Sequence, residues 1–393
     1  MKILVSVFFV YFNVSLLAQN GVLININAAK NYQHKLNLSD FAESVEYIPL
    51  ETTDKSLINR YMTGCILIKD YIFVPQSGVL LQFRRNGEFV RQVNKAGHGP
   101  GECFARFMAF DEKNQRIYMY NNYTYYIMVY GFDGKFKHKF KDPMLEDSDI
   151  NPCTMDCDKN GNLFLSFDNS GGNMLYKYVV IDSVGNIIHK EPNYEIYKTT
   201  DKVIDFAMQF SPFYSYKGSL FYSSSSDTVF RVNQNYKCEP HYIIKIPNKM
   251  TLEDNVKSGT GKATYDDIRG KSIVGNIREN DRHVFIRHSI VERDKDKKRN
   301  YISLYDKKER KLTANISAEL LNDIDGGINF SPVFQNENCM YTFIWPFEMK
   351  EKLTSAHFSK SKALYPEKQK ALKTLVDKLL EDDNIVIMLI KLK

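Results

Sequence analysis

One pattern recurs along the chain and constrains its fold more than any other feature. The stretches LLQFRRNGEFVRQV (80–93), YIMVYGFDGKFKHKF (126–140), YKYVVIDSVGNIIHK (176–190), DTVFRVNQNYKCEPH (227–241) and NYISLYDKKERKLTA (300–314) share one design. Each holds an alternating apolar strand, a polar turn and a second strand that starts within two residues, which is the signature of a β-hairpin. The turn glycines Gly87, Gly134 and Gly185 lie 47 and 51 residues apart, and Asn235 follows 50 later. A further strand pair with its own polar turn precedes each hairpin, as in MAFDEKNQRIYMYN and TMDCDKNGNLFLSF, so a unit supplies four strands. Four short antiparallel strands repeated every ~40–50 residues describe propeller blades. FSPFYSYKGSLFY from Phe210 also returns as FSPVFQNENCMYTF from Phe330.

The pattern predicts an all-β chain, a six-bladed β-propeller with four-stranded antiparallel blades beginning near Tyr61, Phe104, Asn151, Asp205, Arg269 and Gly326. SVEYIPLE (44–51) is strand-like and lies upstream of the first blade. Paired into the last blade it would close the ring and remove the open sheet edge that invites aggregation. YPEKQKALKTLVDKLLEDDN places Pro366 in a first helical turn and Leu372, Leu375, Val376, Leu379 and Leu380 at helical spacing. One helix inserted near the C-terminus, in the last blade, is expected there, followed by a buried strand in NIVIMLIKL.

The opening MKILVSVFFVYFNVSLLAQN has a single lysine, an apolar core and Ala18 before Gln19, the order of a secretory signal peptide. The chain therefore divides into a signal peptide over 1–18, a lead-in over 19–37 and a propeller over 38–393, with no membrane span in the mature chain. The first cysteine is Cys65, so a soluble rather than lipid-anchored, periplasmic or extracellular protein is expected. The 53 basic and 47 acidic side chains give a net charge of +6, spread along the chain. That distribution leaves no basic face for nucleic acid. Six cysteines are too sparse for a disulfide framework. Cys153 and Cys157 in CTMDC are the one close pair; they read as buried small hydrophobes, with a disulfide between them left open by spacing alone.

VEYIPLETTD, NGEFVRQVNKAGHGPGE, DGG at 325–327 and LLEDDNIVIMLIKLK together resemble a large group of exported bacterial six-bladed β-propellers related to NHL-repeat proteins. The resemblance covers nearly all of the mature chain from about Leu38. It implies the fold and export; most of the group has no assigned activity, and many of its members are lipid-anchored. Where an NHL repeat often carries N-x-R, this chain has NNYTYYI, so the active-site residues of related lyases and hydrolases do not carry over.

Propellers bind ligands where inner-strand starts and inter-blade loops converge, at one end of the channel. The loop KAGHGPGECF (95–104) falls between the outer strand of blade one and the inner strand of blade two. Gly97, Gly99 and Gly101 suit a crossover hinge, with an anion cradle as the competing reading. His98 and Arg106 flank that inner-strand start, Asn121 and Asn122 lie in a turn, and Asp323 and Asp325 in NDIDGG offer carboxylate oxygens, so these six are the candidate ligand-binding residues. A calcium loop wants more carboxylates than NDIDGG has. His283 and His288 are five apart on a strand and point to opposite faces. No H-E-x-x-H or G-x-S-x-G is present.

The reading that follows is an exported binding or interaction module for a peptide, glycan or partner protein. The sequence requires no cofactor. The alternatives are a metal-assisted hydrolase or lyase using a channel-end divalent cation, and a structural part of a cell-envelope assembly.

Overall fold

The computed structural model describes residues 21–26, 36–62, 64–145, 152–169, 172–197, 212–223, 227–291, 298–315, 319–336, 339–354, 358 and 363–393. The expected signal peptide at 1–18 and the expected blade starts at Asn151 and Asp205 lie outside these residues. Two strands come first, β1 (Val22–Asn25) and β2 (Ala42–Pro49), and both belong to blades completed much later. Blade one is β3 (Ile66–Leu67), β4 (Tyr71–Gln76), β5 (Val79–Arg84) and β6 (Phe89–Gln92). Blade two is β7 (Ala105–Asp111), β8 (Arg116–Asn121), β9 (Tyr126–Gly131) and β10 (Phe136–Lys141). Blade three follows with β11 (Thr154–Cys157), β12 (Leu163–Ser166), β13 (Tyr176–Ile181) and β14 (Ile187–Pro192).

Blade four comprises β15 (Phe213–Tyr216), β16 (Ser219–Ser223), β17 (Thr228–Val232) and β18 (Cys238–Lys245). Two helices, α1 (Leu252–Gly259) and α2 (Tyr265–Ile268), lead to blade five: β19 (Ser272–Glu279), β20 (His283–Val291), β21 (Lys298–Asp306) and β22 (Lys311–Asn315). Blade six starts with β23 (Phe334–Asn336) and β24 (Cys339–Ile344), inserts α3 (Pro346–Thr354) and α4 (Pro366–Lys378), and ends with β25 (Val386–Leu392). Its fourth strand is β2, paired antiparallel with β25 through Val45↔Ile390 and Ile48↔Ile387. The N-terminal strand thus closes the ring. A six-bladed β-propeller is the result.

The seams between blades carry the core. Six apolar clusters join blades one and two, two and three, three and four, four and five, five and six, and six and one. Because the middle strands are covered on both faces, β8 and β9 are buried along nearly their whole length and read as continuous apolar runs. The outer strand β10 has no buried residue, which sets the order from axis to rim.

Turn chemistry accounts for the repeat. The N–H of Gly87, Gly134 and Gly185 each bonds the carbonyl three residues earlier, with φ of +93°, +77° and +97°, the region glycine enters without steric cost. In blade four Tyr236, rather than the neighbouring Asn235, makes that bond, to Asn233, at φ +63°. The phenol holds the conformation: Tyr236 Oη accepts from Asn162 at 2.7 Å and its carbonyl accepts from Tyr178 Oη at 2.7 Å.

Three features go beyond the sequence reading. β1, within the 19–37 lead-in, adds to blade four as a fifth strand, parallel to β18, and buries Ile24 and Ile26. Helices α1, α2 and α3 accompany α4; Thr251 and Asp254 form a capping box on α1. Cys153 and Cys157 are both free thiols. Cys157 ends an extended strand and Cys153 precedes it, so their Cα atoms stand roughly 13 Å apart, well beyond disulfide reach.

His283 and His288 diverge as their spacing predicts. His283 packs edge-on against Phe41 at 5.0 Å, whereas His288 Nε2 meets Ser303 Oγ at 2.8 Å and its ring stacks on Tyr301. Burial pushes the His288 imidazole from 6.5 down to about 4. The unfolded chain therefore binds a proton below pH 6.5 that the folded chain refuses, and stability is lost as pH falls from about 6.5 to about 4. That loss is on the order of 3 kcal/mol. Urea denaturation of wild type and His288→Gln at pH 7 and pH 4 checks it: the variant should lose less stability on acidification by about this amount.

Candidate functional site

In an antiparallel blade the turn between the second and third strands and the linker to the next blade lie at the same end. We call it the upper end. The loop 93–104 is such a linker, and it is built around one buried side chain. Asn94 Oδ1 accepts from the N–H of Leu80, and its Nδ2 donates to the carbonyls of Gly78 and Cys103. Within the loop Gly99, Pro100, Gly101 and Glu102 make a turn closed by a 3.0 Å bond from the Glu102 N–H to the Gly99 carbonyl. Pro100 and Gly101, at φ +73°, occupy the positions a type II turn assigns to them.

Of the three loop glycines only Gly101 takes a positive φ; Gly97 and Gly99 answer a different demand. Both face the Glu102 carboxylate, which approaches where a side chain would stand, accepts from the Gly99 N–H at 3.0 Å and pairs with Lys95 at 2.6 Å. The loop is thus braced internally, with its backbone turned to Glu102.

The loop and the strand pair it leads into bring three of the nominated residues to one end of blade two. β7 and β8 pair Ala105 with Asn121, so residues just beyond that pair share the upper end of blade two. Arg106 Nη1 donates to Asn122 Oδ1 at 3.0 Å. The His98 ring lies 5.2 Å from Phe104 and 6.0 Å from Tyr123, and Phe104 lies 5.5 Å from Tyr123. Phe104 rests over the turn of blade one, where Gly78 leaves room: a Cβ there would stand 3.4 Å from the ring. Asn121 is itself buried; its Oδ1 accepts from the N–H groups of Tyr123 and Thr124 and so shapes the turn rather than facing solvent. Tyr123 is 67% exposed. His98, Arg106 and Asn122 therefore converge, with Phe104 and Tyr123 as members the sequence reading did not name.

Asp142 supports this face from below. It is buried, accepts from Tyr120 Oη at 2.9 Å and from the N–H of Met144 at 2.9 Å, and its own N–H bonds the Tyr125 carbonyl. Burial holds its carboxyl above the usual aspartate range.

Asp323 and Asp325 lie elsewhere, in the wedge between blades five and six. The chain there runs back along residues 36–39: the Leu38 N–H bonds the Leu321 carbonyl, and Asp323 accepts from the Ser39 N–H and hydroxyl at 2.9 and 2.5 Å. Asp325 is 2% exposed and packs against β2 and α4. Its Oδ1 accepts from Asn322 Nδ2 at 2.7 Å, from the Gly327 N–H at 2.8 Å and from Tyr47 Oη at 3.4 Å. Gly327 must lack a side chain, because a Cβ would come 2.5 Å from Leu372 and 2.8 Å from Tyr47 Oη. Among the described residues no three His, Cys, Asp or Glu side chains converge as a metal-binding set.

A denser polar cluster sits at the lower end, between blades four and five. Glu279, 1% exposed, accepts from Tyr214 Oη at 2.9 Å and Tyr242 Oη at 2.8 Å and pairs with Lys307. Both carboxylate oxygens are met by donors of the chain, which marks a structural lock.

The fold is that of a six-bladed β-propeller, and among the described residues no helix is long and apolar enough to cross a membrane. The chain belongs to the DUF4934 family, a domain of unknown function, whose profile matches residues 22–391. It is similar to a candidate exported protein from Bacteroides fragilis NCTC 9343, with 17% identity over 95% of this chain and 100% of that one and a TM-score of 0.68. It is also similar to a member of the DUF4221 family from Bacteroides vulgatus ATCC 8482, with 10% identity over 92% and 99% of the two chains and a TM-score of 0.50. At these identities the likeness concerns the fold alone. No curated protein matches the chain.

Proposed function

We propose that the protein is an exported, periplasmic or extracellular binding module that takes a peptide, glycan or partner protein on the upper end of blades one and two. Its repeat is read as NHL-like. The carrying observation is the group formed by His98, Phe104 and Tyr123 beside the Arg106–Asn122 pair. Exposed rings offer apolar area at little conformational cost, and a guanidinium and an amide beside them supply directional donors. Rigid strands on both sides fix these groups before any ligand arrives, which lowers the entropy lost on binding. Export is supported by the signal-like opening segment and by the name of the Bacteroides fragilis neighbour.

Binding to peptide and glycan arrays, followed by titration of the best hit, tests the reading. Tyr123→Ala should weaken that interaction at least tenfold, as loss of an aromatic anchor does, while the melting temperature stays unchanged because the ring is exposed. Equal affinity in the variant, or arrays with no hit, would overturn it.

A further inference from the structure

Between β2 and α4 a cavity of about 310 Å³ opens beside Asp325, near the lower bound of ~300 Å³ usual for small-molecule sites. Val45, Ala371, Leu372 and Leu375 make its apolar lining, and Tyr47, Asp325 and Lys368 supply the polar atoms. Two of those polar groups are uncommitted. All three donors to Asp325 go to Oδ1, leaving Oδ2 of a 98% buried side chain without a donor among the described residues. That oxygen keeps some contact with solvent and can take a donor that enters the cavity.

Lys368 lines the same cavity but does not fill that vacancy. Its Nζ lies 4.8 Å from the Tyr365 ring centroid, and it makes no hydrogen bond or ion pair among the described residues. Burial raises the Asp325 carboxyl above its ordinary range, and the Lys368 charge opposes that rise by favouring the ionised form. An acceptor and an ammonium thus face one apolar-walled space without meeting.

That arrangement selects a ligand carrying both charges. A simple amine would satisfy Asp325 but meet Lys368 with like charge, and a simple acid would do the reverse. We infer that the cavity binds an apolar α-amino acid as its zwitterion, the ammonium donating to Asp325 Oδ2, the carboxylate meeting Lys368 Nζ and the side chain lying against Val45, Leu372 and Leu375. The site is separate from the upper-end face and does not depend on it.

Titration of the full chain with L-leucine and L-phenylalanine by calorimetry and saturation-transfer NMR tests this. Saturable binding is expected, weakened at least tenfold for N-acetyl-leucine, which has no ammonium, and for leucinamide, which has no carboxylate. Lys368→Gln should weaken leucine binding by a similar factor. This substitution keeps a good helix former on α4 and removes no hydrogen bond, so folding does not confound it. Asp325→Asn should also lose binding, and its thermal melt shows whether the fold survives. Tyr123→Ala should leave leucine binding unchanged, which distinguishes the two sites. Absence of saturable binding to either amino acid, equal affinity for the acetylated or amidated forms, or an unaffected Lys368→Gln would overturn the inference.

Discussion

Glu279→Ala should destabilise the fold by roughly 3–5 kcal/mol, the cost of removing one partner from a buried ion pair. The carboxylate takes two phenol donors, from blade four, and the Lys307 ammonium, from the turn between β21 and β22. Its deletion leaves Tyr214 and Tyr242 hydroxyls without acceptors inside the blade four–five seam, and leaves a positive charge with a single carbonyl partner, that of Asn280. Equilibrium urea denaturation at pH 7 measures the loss. The double variant Glu279→Ala/Lys307→Met should recover part of it, since the stranded charge is then gone. A single-variant loss below about 1 kcal/mol would show that water replaces the carboxylate and that the cluster is not a lock.

The second large effect is expected at the ring closure. Asn384, 1% exposed, precedes the last strand and ties down the segment that leaves β2 for blade one. Its Oδ1 accepts from the Ile58 N–H at 2.7 Å, and its Nδ2 donates to the carbonyls of Glu51 at 2.7 Å and Ser56 at 2.9 Å. Asn384→Ala strands three backbone groups at once, and with about 1–3 kcal/mol for each unsatisfied buried group and incomplete additivity, a loss of about 3–5 kcal/mol follows. Asn384→Asp should separate the two halves of the role, because it keeps the acceptor for Ile58 and sets a carboxylate against two carbonyls. Hydrogen exchange across β2 and β25 should accelerate in both variants. Unchanged protection there would place the closure elsewhere.

How far the sequence discloses this molecule depends on the range of the interaction. Hairpin turns are local, and glycines at positive φ mark three of them, which is why the blades and the closing strand could be read. Tyr236 hides the fourth marker, because its strained backbone is held by Asn162 and Tyr178 from the adjacent blade. β1 is four residues, VLIN, with no hairpin partner next to it in sequence, and only contact with blade four makes it a strand.

The candidate face was half legible. His98, Arg106 and Asn122 stand out as polar residues at a strand start and a turn, whereas Phe104 and Tyr123 carry no such signal, and only the Ala105↔Asn121 register sets them side by side. Asp323 and Asp325 were suspected for their carboxylates. Their place in the wedge between blades five and six follows from pairing of Leu321 with residues 36–38, far away in sequence, which no local pattern encodes.

The two N-terminal strands set the order of assembly. β1 must wait for β18, and β2 for β25, so the first-made segments have no partners until residues 238–245 and 386–392 exist. Contacts spanning such separations form slowly, after the entropy of closing a very long loop has been met. A growing chain of this kind cannot finish folding ahead of its own C-terminus. Ring closure is therefore a late step, and the two early strands carry unpaired edges until it occurs.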